Sequence, residues 1–329
     1  MCSEKFGREQ KSEGISGALD HDKWKEKHMN GIMEAALEVK NLRKKFKNFE
    51  LNIEDLEIPK GFATALIGEN GAGKTTLLSC LSGVRLDYQG EIRYFGRYVN
   101  DEREKPENQV RESIGCVGTS GYFLSHWTAT QVADMGELLY EHFHKEYFWE
   151  LCRDLNILPG GKRGTKISAL SDGNRMKLML ASVFARDTKL LLLDEPTSPL
   201  DPLMREKLCC MLQEYLEAGH GDNTVLFSTH NISDMEAVTD YCIIIKQGRV
   251  VERGFVEDLK EKYVLVKGEK EDLEAARHAL FQVSESNYGF EGICLAKDME
   301  KLAGLRVSME IPSLFQISVA VLKQYTAIV

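Results

Sequence analysis

A glycine-rich segment has the residue types and spacing to bind a phosphate chain. It reads Gly68-Glu69-Asn70-Gly71-Ala72-Gly73-Lys74-Thr75-Thr76 and fits the pattern G-x-x-x-x-G-K-[ST] without a mismatch. The backbone N–H groups of such a loop curl around phosphate oxygens. Lys74 would reach the β- and γ-phosphates, and the Thr75 hydroxyl would hold Mg²⁺, a hard cation that prefers oxygen ligands. We expect further nucleotide contacts from Gly68, Asn70, Gly71, Gly73 and Thr76.

Two elements must position this loop. Residues 63–67 before it are predicted to form a short buried strand, and residues 76–81 after it are predicted to form the first turns of a helix. The N-terminus of that helix adds a partial positive charge, which favours a bound anion. The order of strand, loop and helix is the context that a phosphate-binding loop requires.

Two more predicted strands end in side chains that could do chemistry. The apolar run 190–193 ends in Asp194 and Glu195, and the run 224–229 ends at His230. Ligands of open α/β sheets bind at the carboxyl ends of parallel strands. Because two acids at the tip of an apolar strand cost desolvation energy, they indicate a bound cation and a reacting water. The position of His230 likewise predicts a functional residue.

A second helix N-terminus is predicted at Ser171, with Gly173 in the turn and a helix from Met176 to Ala185. Ser171 as the capping residue would leave N–H groups facing an anion. Taken alone, the pattern Ser-x-Gly is a weak signal. Asp201 followed by Pro202 opens another predicted helix.

Composition limits the classes of function. The chain has 329 residues, 43% of them hydrophobic, and a formal net charge of −9. Such a balance argues against nonspecific binding to nucleic acid, because no excess of Lys and Arg is available to displace counterions. The eight cysteines show no metal-binding or disulfide spacing, which is typical of a reducing cytosol. No run approaches the roughly 18 apolar residues of a membrane helix, so we expect any membrane role to come through a partner.

The chain divides into three predicted parts. Residues 1–33 are polar and read as a flexible N-terminal extension, 34–260 form the main domain, and 261–329 form a small C-terminal α+β domain. Within the main domain, about 120–186 reads as a helical subdomain. Its aromatic residues suggest a docking surface, with ordinary core packing as the alternative for about half of them. They are Tyr122, Phe123, Trp127, Tyr140, Phe143, Tyr147, Phe148 and Trp149.

Taken together, the motifs over about 37–260 resemble the nucleotide-binding subunit of an ATP-binding cassette (ABC) transporter. Five elements occur in the order of that family. They are the Walker A loop (Gly68 to Thr76), the signature loop (Leu170 to Asn174), the Walker B strand with its glutamate (Asp194, Glu195), the D-loop (Ser198 to Asp201) and the switch histidine His230.

This resemblance implies an α/β P-loop NTPase core with an antiparallel β subdomain and a helical subdomain. It also implies that two copies pair head to tail around two ATP molecules, each held between one Walker A loop and the signature loop of the other copy. Ser171, Gly173 and Asp201 would then approach the nucleotide.

In the same family picture Lys74, Glu195 and His230 act in catalysis. Glu195 would orient or deprotonate the attacking water, and His230 would contact the γ-phosphate. Asp194 would hold Mg²⁺ through a water. Such a subunit lies at the cytoplasmic face of the cell membrane, where it drives a separate permease.

Three positions have a second interpretation or depart from the pattern of the family. Phe46 could stack on adenine or could be a core aromatic. Thr119 occupies the place of a usual metal-contacting glutamine after strand 114–117, and its shorter side chain would contact the metal only through water. The signature loop reads Asp172-Gly173-Asn174 where Gly-Gly-Gln is commoner, which brings a negative charge near a phosphate site.

The C-terminal part resembles the extension of ABC-2 type exporter ATPases, including the bacterial subgroup for drugs, antimicrobial peptides or lantibiotic immunity. This similarity predicts export of a peptide, drug or lipid-like substrate, although the extension could serve only to stabilise a dimer. The alternatives are a soluble ABC ATPase with a non-membrane partner and an ATP-gated module that does not hydrolyse. The presence of Glu195 and His230 argues against the last.

Overall fold

The structure, a computed structural model, describes residues 34–98, 107–118 and 123–326. The predictions for the N-terminal extension, Thr119 and Tyr122 therefore lie outside the described residues. The strands are β1 (Ala35–Lys45), β2 (Glu50–Pro59), β3 (Ala63–Ile67), β4 (Gln89–Tyr94), β5 (Arg97–Tyr98), β6 (Ile114–Val117), β7 (Leu190–Asp194), β8 (Thr224–Thr229), β9 (Tyr241–Lys246), β10 (Arg249–Phe255), β11 (Tyr263–Gly268), β12 (Gln282–Ser286), β13 (Gly289–Leu295) and β14 (Val307–Glu310).

The described residues also form nine α-helices. They are α1 (Lys74–Leu81), α2 (Glu107–Glu112), α3 (Ala129–Leu139), α4 (Lys145–Asp154), α5 (Asp172–Phe184), α6 (Pro202–Ala218), α7 (Val256–Lys262), α8 (Leu273–Ala276) and α9 (Leu314–Thr326). Short 3₁₀ helices occupy Pro159–Gly161, Ile167–Ala169, Ile232–Asp234, Glu236–Val238, Lys270–Asp272 and Ala296–Leu302. None of the helices in these described segments has the length and apolar character needed to cross a bilayer.

A six-stranded sheet in the order β10-β9-β3-β8-β7-β6 forms the centre of the main domain. All its neighbours are parallel except β10, which pairs antiparallel with β9. Every residue of β3, β7 and β8 is buried, as expected for the central strands of a parallel sheet that is covered on both faces. This order brings the carboxyl ends of the three strands side by side, and it confirms the predicted α/β class.

A second sheet, antiparallel and in the order β2-β1-β4-β5, packs beside the first. The hairpin between β9 and β10 joins this sheet to the phosphate-loop segment 68–76. At its tip, the N–H of Gly248 donates to Ala72 O at 2.9 Å, and Gly248 O accepts from the N–H of Asn52 at 2.8 Å. Gln247 and Gly248 both have positive φ, 48° and 76°, as a tight hairpin turn requires.

The aromatic side chains of the helical subdomain pack in or against its hydrophobic core. Phe148 is completely buried, and five other aromatics pack against the main hydrophobic cluster. They are Phe123, Trp127, Phe143, Tyr147 and Trp149. Core packing, the alternative interpretation, therefore accounts for Phe148 and for part of the surface of the other five rings. A docking role for their exposed parts stays a prediction. The exposed apolar side chains of this region are leucines: Leu124, Leu138 and Leu139.

The C-terminal strands form a third, antiparallel sheet in the order β12-β13-β11-β14. After β11, the 3₁₀ turn Lys270–Asp272 leads into the single helical turn α8. Tight i→i+3 bonds from Ala279 N to Ala276 O and from Leu280 N to Arg277 O end it, because the chain must turn into β12. The last helix, α9, begins after a capping box in which Ser313 and Gln316 exchange hydrogen bonds.

Helix α9 connects the third sheet to the main domain. Its buried residues Leu314, Ile317, Ala320 and Val321 lie on one face and belong to the main hydrophobic cluster. Its first N–H, at Leu314, donates to Glu236 Oε1 at 2.9 Å. The positive N-terminal end of the helix attracts this carboxylate. Helix α9 is therefore held in place both by its buried apolar face and by charge.

Replacing Gly248 with alanine should lower the free energy of unfolding by about 2–5 kcal/mol. The cost has two parts, because alanine is strained at a positive φ and its Cβ would also collide with the neighbouring backbone. A Cβ built at Gly248 would lie 2.0 Å from Glu50 O. Gly96→Ala is the matched control: Gly96 has a φ of +74° with nothing within 4 Å of its ideal Cβ. It should cost only about 1–2 kcal/mol in urea unfolding. If both variants lost the same free energy of unfolding, the close contact with Glu50 O would contribute nothing to the cost at Gly248.

Candidate active site

The phosphate loop lies at the carboxyl end of β3 and leads directly into α1. Gly73 is the N-cap of α1 with φ 110°, and its ideal Cβ would lie 2.8 Å from Phe49 Cζ. A side chain there would meet both backbone strain and the aromatic ring, which explains the glycine. The predicted contacts Gly68, Asn70 and Gly71 lie in the loop, with Asn70 and Gly71 exposed. Thr75 and Thr76 lie in the first turn of α1.

The Lys74 side chain folds back onto its own loop. Its Nζ donates to Gly68 O at 2.7 Å and to Glu69 O at 3.2 Å. The same atom lies 3.5 Å from Glu195 Oε1. Since the residue is only 5% exposed, its charge is held inside the loop, where a bound phosphate chain would replace the carbonyl oxygens as its partners.

The two acids at the end of β7 have different environments. Asp194 is 5% exposed, and its Oδ1 accepts from the Ser228 hydroxyl at 2.5 Å. The N–H of Glu195 donates to the same Ser228 oxygen at 3.0 Å. Glu195 has a positive φ of 49°, an uncommon conformation for a residue with a side chain. Ser228 on β8 therefore fixes both acids from the neighbouring strand.

His230, which follows β8, faces Glu195. Its Nδ1 lies 2.8 Å from Glu195 Oε2, while the His230 side chain remains 50% exposed and that of Glu195 is 14% exposed. Lys74, Glu195 and His230 thus form one continuous chain of contacts. Glu195 can accept a proton from a water, and Lys74 and His230 can stabilise negative charge beside it.

The signature loop begins α5 earlier than predicted, at Asp172 rather than Met176. Ser171 is the N-cap, and its Oγ accepts from the N–H of Asn174 at 3.2 Å. Gly173 lies against the D-loop: its ideal Cβ would be 2.8 Å from Pro199 O. The two segments of one chain are therefore packed together, and any larger residue at 173 would separate them.

Asp201 has a structural role within its own chain. Its Oδ1 accepts from the N–H of Met204 at 3.0 Å, so that it caps α6. The contact with nucleotide expected for Asp201 stays a prediction about a pair of chains. Next to it, Arg205 connects two loops: its Nε donates to Leu200 O at 2.9 Å, and its NH1 lies 2.8 Å from Asp234 Oδ2, in the segment after His230.

Phe46 is not a core aromatic. Its ring is 38% exposed, and Lys44 Nζ and Arg85 Cζ each lie 5.3 Å from the ring centroid. Phe49 lies between Phe46 and the phosphate loop, with its ring centroid 6.1 Å from that of Phe46. An exposed ring near the loop is compatible with stacking on a base, which stays a prediction.

The donor atoms near the loop fit Mg²⁺. The candidates are the Thr75 hydroxyl on the exposed start of α1 and the Asp194 carboxylate, both oxygen ligands. The described residues contain no group of three or more His, Cys, Asp or Glu suited to a metal ion. Mg²⁺ bound together with substrate phosphates needs only one or two protein ligands and keeps several waters.

Two side chains that connect the loops around the site were not anticipated from the sequence. Ser228 and Arg205 each connect loops that are distant in the chain, and neither belongs to one of the five motifs. Ser228 had a detectable signal, because it is a hydroxyl near the carboxyl end of the strand that precedes His230. Arg205 had none, since an arginine on an exposed helix is ordinary.

The sequence pattern of the ABC transporter family matches residues 51–198. Glutamine transport ATP-binding protein GlnQ of Escherichia coli (strain K12) is 33% identical over 221 residues, which are 66% of this chain and 90% of that protein. Tungstate uptake system ATP-binding protein TupC of Peptoclostridium acidaminophilum is 30% identical over 223 residues, which are 65% of this chain and 96% of that protein.

A solved structure shares the fold of the main domain. It is the dimeric structure of an ATP-binding cassette in a post-hydrolysis state, bound to ADP and Pi. The TM-score is 0.57 at 22% sequence identity, and the match covers 67% of this chain and 98% of that one. The main domain therefore has the fold of an ATP-binding cassette.

Proposed function

This chain belongs to the family of ABC transporter ATP-binding subunits and is an ATPase, and we propose that two copies pair around ATP to drive a separate membrane permease. The observation that carries the proposal is the contact chain Lys74–Glu195–His230 at the carboxyl ends of neighbouring strands. Hydrolysis of a triphosphate needs a base for the attacking water and groups that stabilise negative charge on the phosphates. Glu195 can serve as the base, and Lys74 and His230 can stabilise the charge.

In the proposed reaction Glu195 accepts a hydrogen bond from the attacking water and takes its proton. As the new bond forms to the γ-phosphorus, the bond to the bridging oxygen breaks and ADP leaves. Lys74 exchanges its contacts with Gly68 O and Glu69 O for phosphate oxygens, and His230 orients Glu195 while contacting the γ-phosphate. Mg²⁺, held by Thr75 and Asp194, would supply positive charge to the phosphates.

The second copy completes this site in the proposal. A single chain leaves the γ-phosphate open to water on the side opposite Lys74. The N-terminus of α5, with Ser171 and Gly173, would close that side from the other copy. A solved structure of the same fold is a dimer bound to ADP and Pi, which supports the pairing of two copies. The head-to-tail orientation is part of the proposal.

A groove between the central domain and the helical subdomain is the proposed docking site for the permease. The groove has a volume of about 490 Å³, and its lining includes Leu86, Tyr88, Arg111, Leu139 and Arg186. Leu86 and Leu139 are 60% and 59% exposed. An exposed apolar rim around polar groups is typical of a protein-binding surface.

A Leu139→Asp variant should lose at least about 90% of its co-purification with the permease from detergent, because a charge at the groove must be desolvated on binding. Its ATP-dependent dimerisation should be unchanged. Ile311→Asp is the matched control, since Ile311 is 78% exposed in the C-terminal sheet region, outside the residues that line the groove. Normal co-purification of the Leu139 variant would exclude the groove, and failure of the unmodified chain to bind any polytopic protein would favour an ATPase with a non-membrane partner.

The direction of transport in this proposal is export, which rests on the C-terminal sheet and α9 and on their resemblance to exporter extensions. Uptake is the second candidate, because the relative TupC is named for tungstate uptake. The two are separated by vesicles that contain the chain with its permease. Accumulation of substrate on the side away from the ATPase supports export, and the opposite result supports uptake.

A further inference from the structure

The signature loop contains a negative charge, at Asp172, although it is proposed to bind a phosphate group. Asp172 occupies the first turn of α5, between Ser171 and Gly173, and its side chain is 83% exposed. A carboxylate there is favourable for the helix, whose N-terminus is positive. The same carboxylate would repel a phosphate chain that approaches Ser171 and Gly173. The loop therefore needs a group that offsets this charge.

Arg175 is placed to supply that group. Its NH1 lies 3.0 Å from Asp172 Oδ1. The other two nitrogens are held by the backbone, with Nε donating to Ile167 O at 3.2 Å and NH2 donating to Ser168 O at 3.4 Å. All three guanidinium nitrogens are used, so the positive charge has one position beside Asp172.

This ion pair contributes little to the stability of the single chain. Both side chains are exposed, at 42% for Arg175 and 83% for Asp172, and exposed pairs are screened by water and salt. When a second copy covers the N-terminus of α5, water is excluded, and the attraction between the two side chains and the repulsion between carboxylate and phosphate both increase. The pair consequently has its effect in the closed dimer.

We propose that Arg175 is a positioning residue for the reaction: it holds the Asp172 carboxylate to the side and neutralises it, so that the signature loop can receive the γ-phosphate of ATP bound to the other copy. This inference rests on the proposed pairing of two copies. Arg175 does not touch the nucleotide, and it acts through Asp172.

The test compares Arg175→Gln, Asp172→Gly and the double variant, each in a Glu195→Gln background in which hydrolysis does not consume the ATP. The readout is the ATP concentration that gives half-maximal dimer by size-exclusion chromatography with light scattering. Arg175→Gln should raise it about tenfold, the effect of one lost charge-assisted contact, and more at low salt. The double variant should stay within about twofold of Asp172→Gly, because no carboxylate remains to be offset.

Two matched variants separate this role from a structural one. Arg153→Gln removes an exposed arginine from α4 and should leave the midpoint unchanged. Arg175→Lys keeps the charge but loses the fork that reaches Ile167 O and Ser168 O, and it should restore part of the loss. ATP binding to the monomer and its melting temperature should stay the same throughout.

The role of Arg175 and the pairing of two copies would be contradicted by different results. If Arg175→Gln has no effect, or the same effect with and without Asp172→Gly, then Arg175 does not act through Asp172 and only this inference fails. If the Glu195→Gln chain with an intact signature loop forms no dimer at any ATP concentration, then the proposed pairing fails and the inference fails with it.

Discussion

A Glu195→Gln variant will bind ATP and accumulate as a dimer, while its rate of hydrolysis falls by about 10²- to 10⁴-fold, the usual contribution of a general base. The substitution is nearly isosteric. Glutamine can keep the 2.8 Å contact with His230 Nδ1 and the 3.0 Å bond from its own N–H to Ser228 Oγ. What it loses is the ability to take a proton and the negative charge beside the phosphates.

Loss of that charge should also strengthen ATP binding. Glu195 Oε1 lies 3.5 Å from Lys74 Nζ, so the carboxylate competes with the phosphate chain for the same cation. A neutral amide removes the competition, and closed dimers should persist because the nucleotide between them is not cleaved.

Measurements of phosphate release and of dimer mass on the same samples test this prediction. Glu217→Gln is the matched control, since it removes a carboxylate from the exposed far end of α6. That variant should hydrolyse ATP at the normal rate. Near-normal phosphate release by the Glu195 variant would show that another group activates the water.

The strand ends that carry the candidate catalytic residues were predictable because their sequence signals are local. Residues 190–193 are uninterruptedly apolar, and acids directly after such a run lie at the end of a strand. The same reasoning placed His230. Since parallel strands present their carboxyl ends on one edge, three separate motifs could be assigned to a single site before any contact was known.

Contacts that depend on packing angles were not predictable. The aromatic residues around Phe148 have the composition of a docking surface, and only the arrangement of α3, α4 and α5 shows that they pack in or against a core. The pairing of Asp172 with Arg175 illustrates the same limit. Their spacing of three residues suits contact on a helix, but the carbonyls of Ile167 and Ser168 that fix the guanidinium belong to the preceding turn.

Lys74→Ala should have the opposite pattern to Glu195→Gln and weaken ATP binding to the monomer by about 10- to 100-fold, the value of a charge-assisted hydrogen bond. Lys74 is 5% exposed and its Nζ touches two loop carbonyls, so alanine leaves Gly68 O and Glu69 O pointing into the space that phosphates must enter. The Glu195 carboxylate, 14% exposed, then faces the phosphates without its cation.

The control for this variant is Lys60, which lies just before β3, at the end of that strand opposite the phosphate loop. Lys60 pairs with Asp222 at 2.7 Å and with Glu34 at 3.0 Å, and these two hydrogen bonds raise its pKa. Lys60→Ala therefore removes an equal charge without touching the phosphate loop, and equilibrium binding of ATP should be unchanged. If both lysine variants weakened ATP binding equally, the effect would come from net charge. If Lys74→Ala bound ATP normally, the loop would hold phosphates through its backbone alone and the role assigned to this lysine would be wrong.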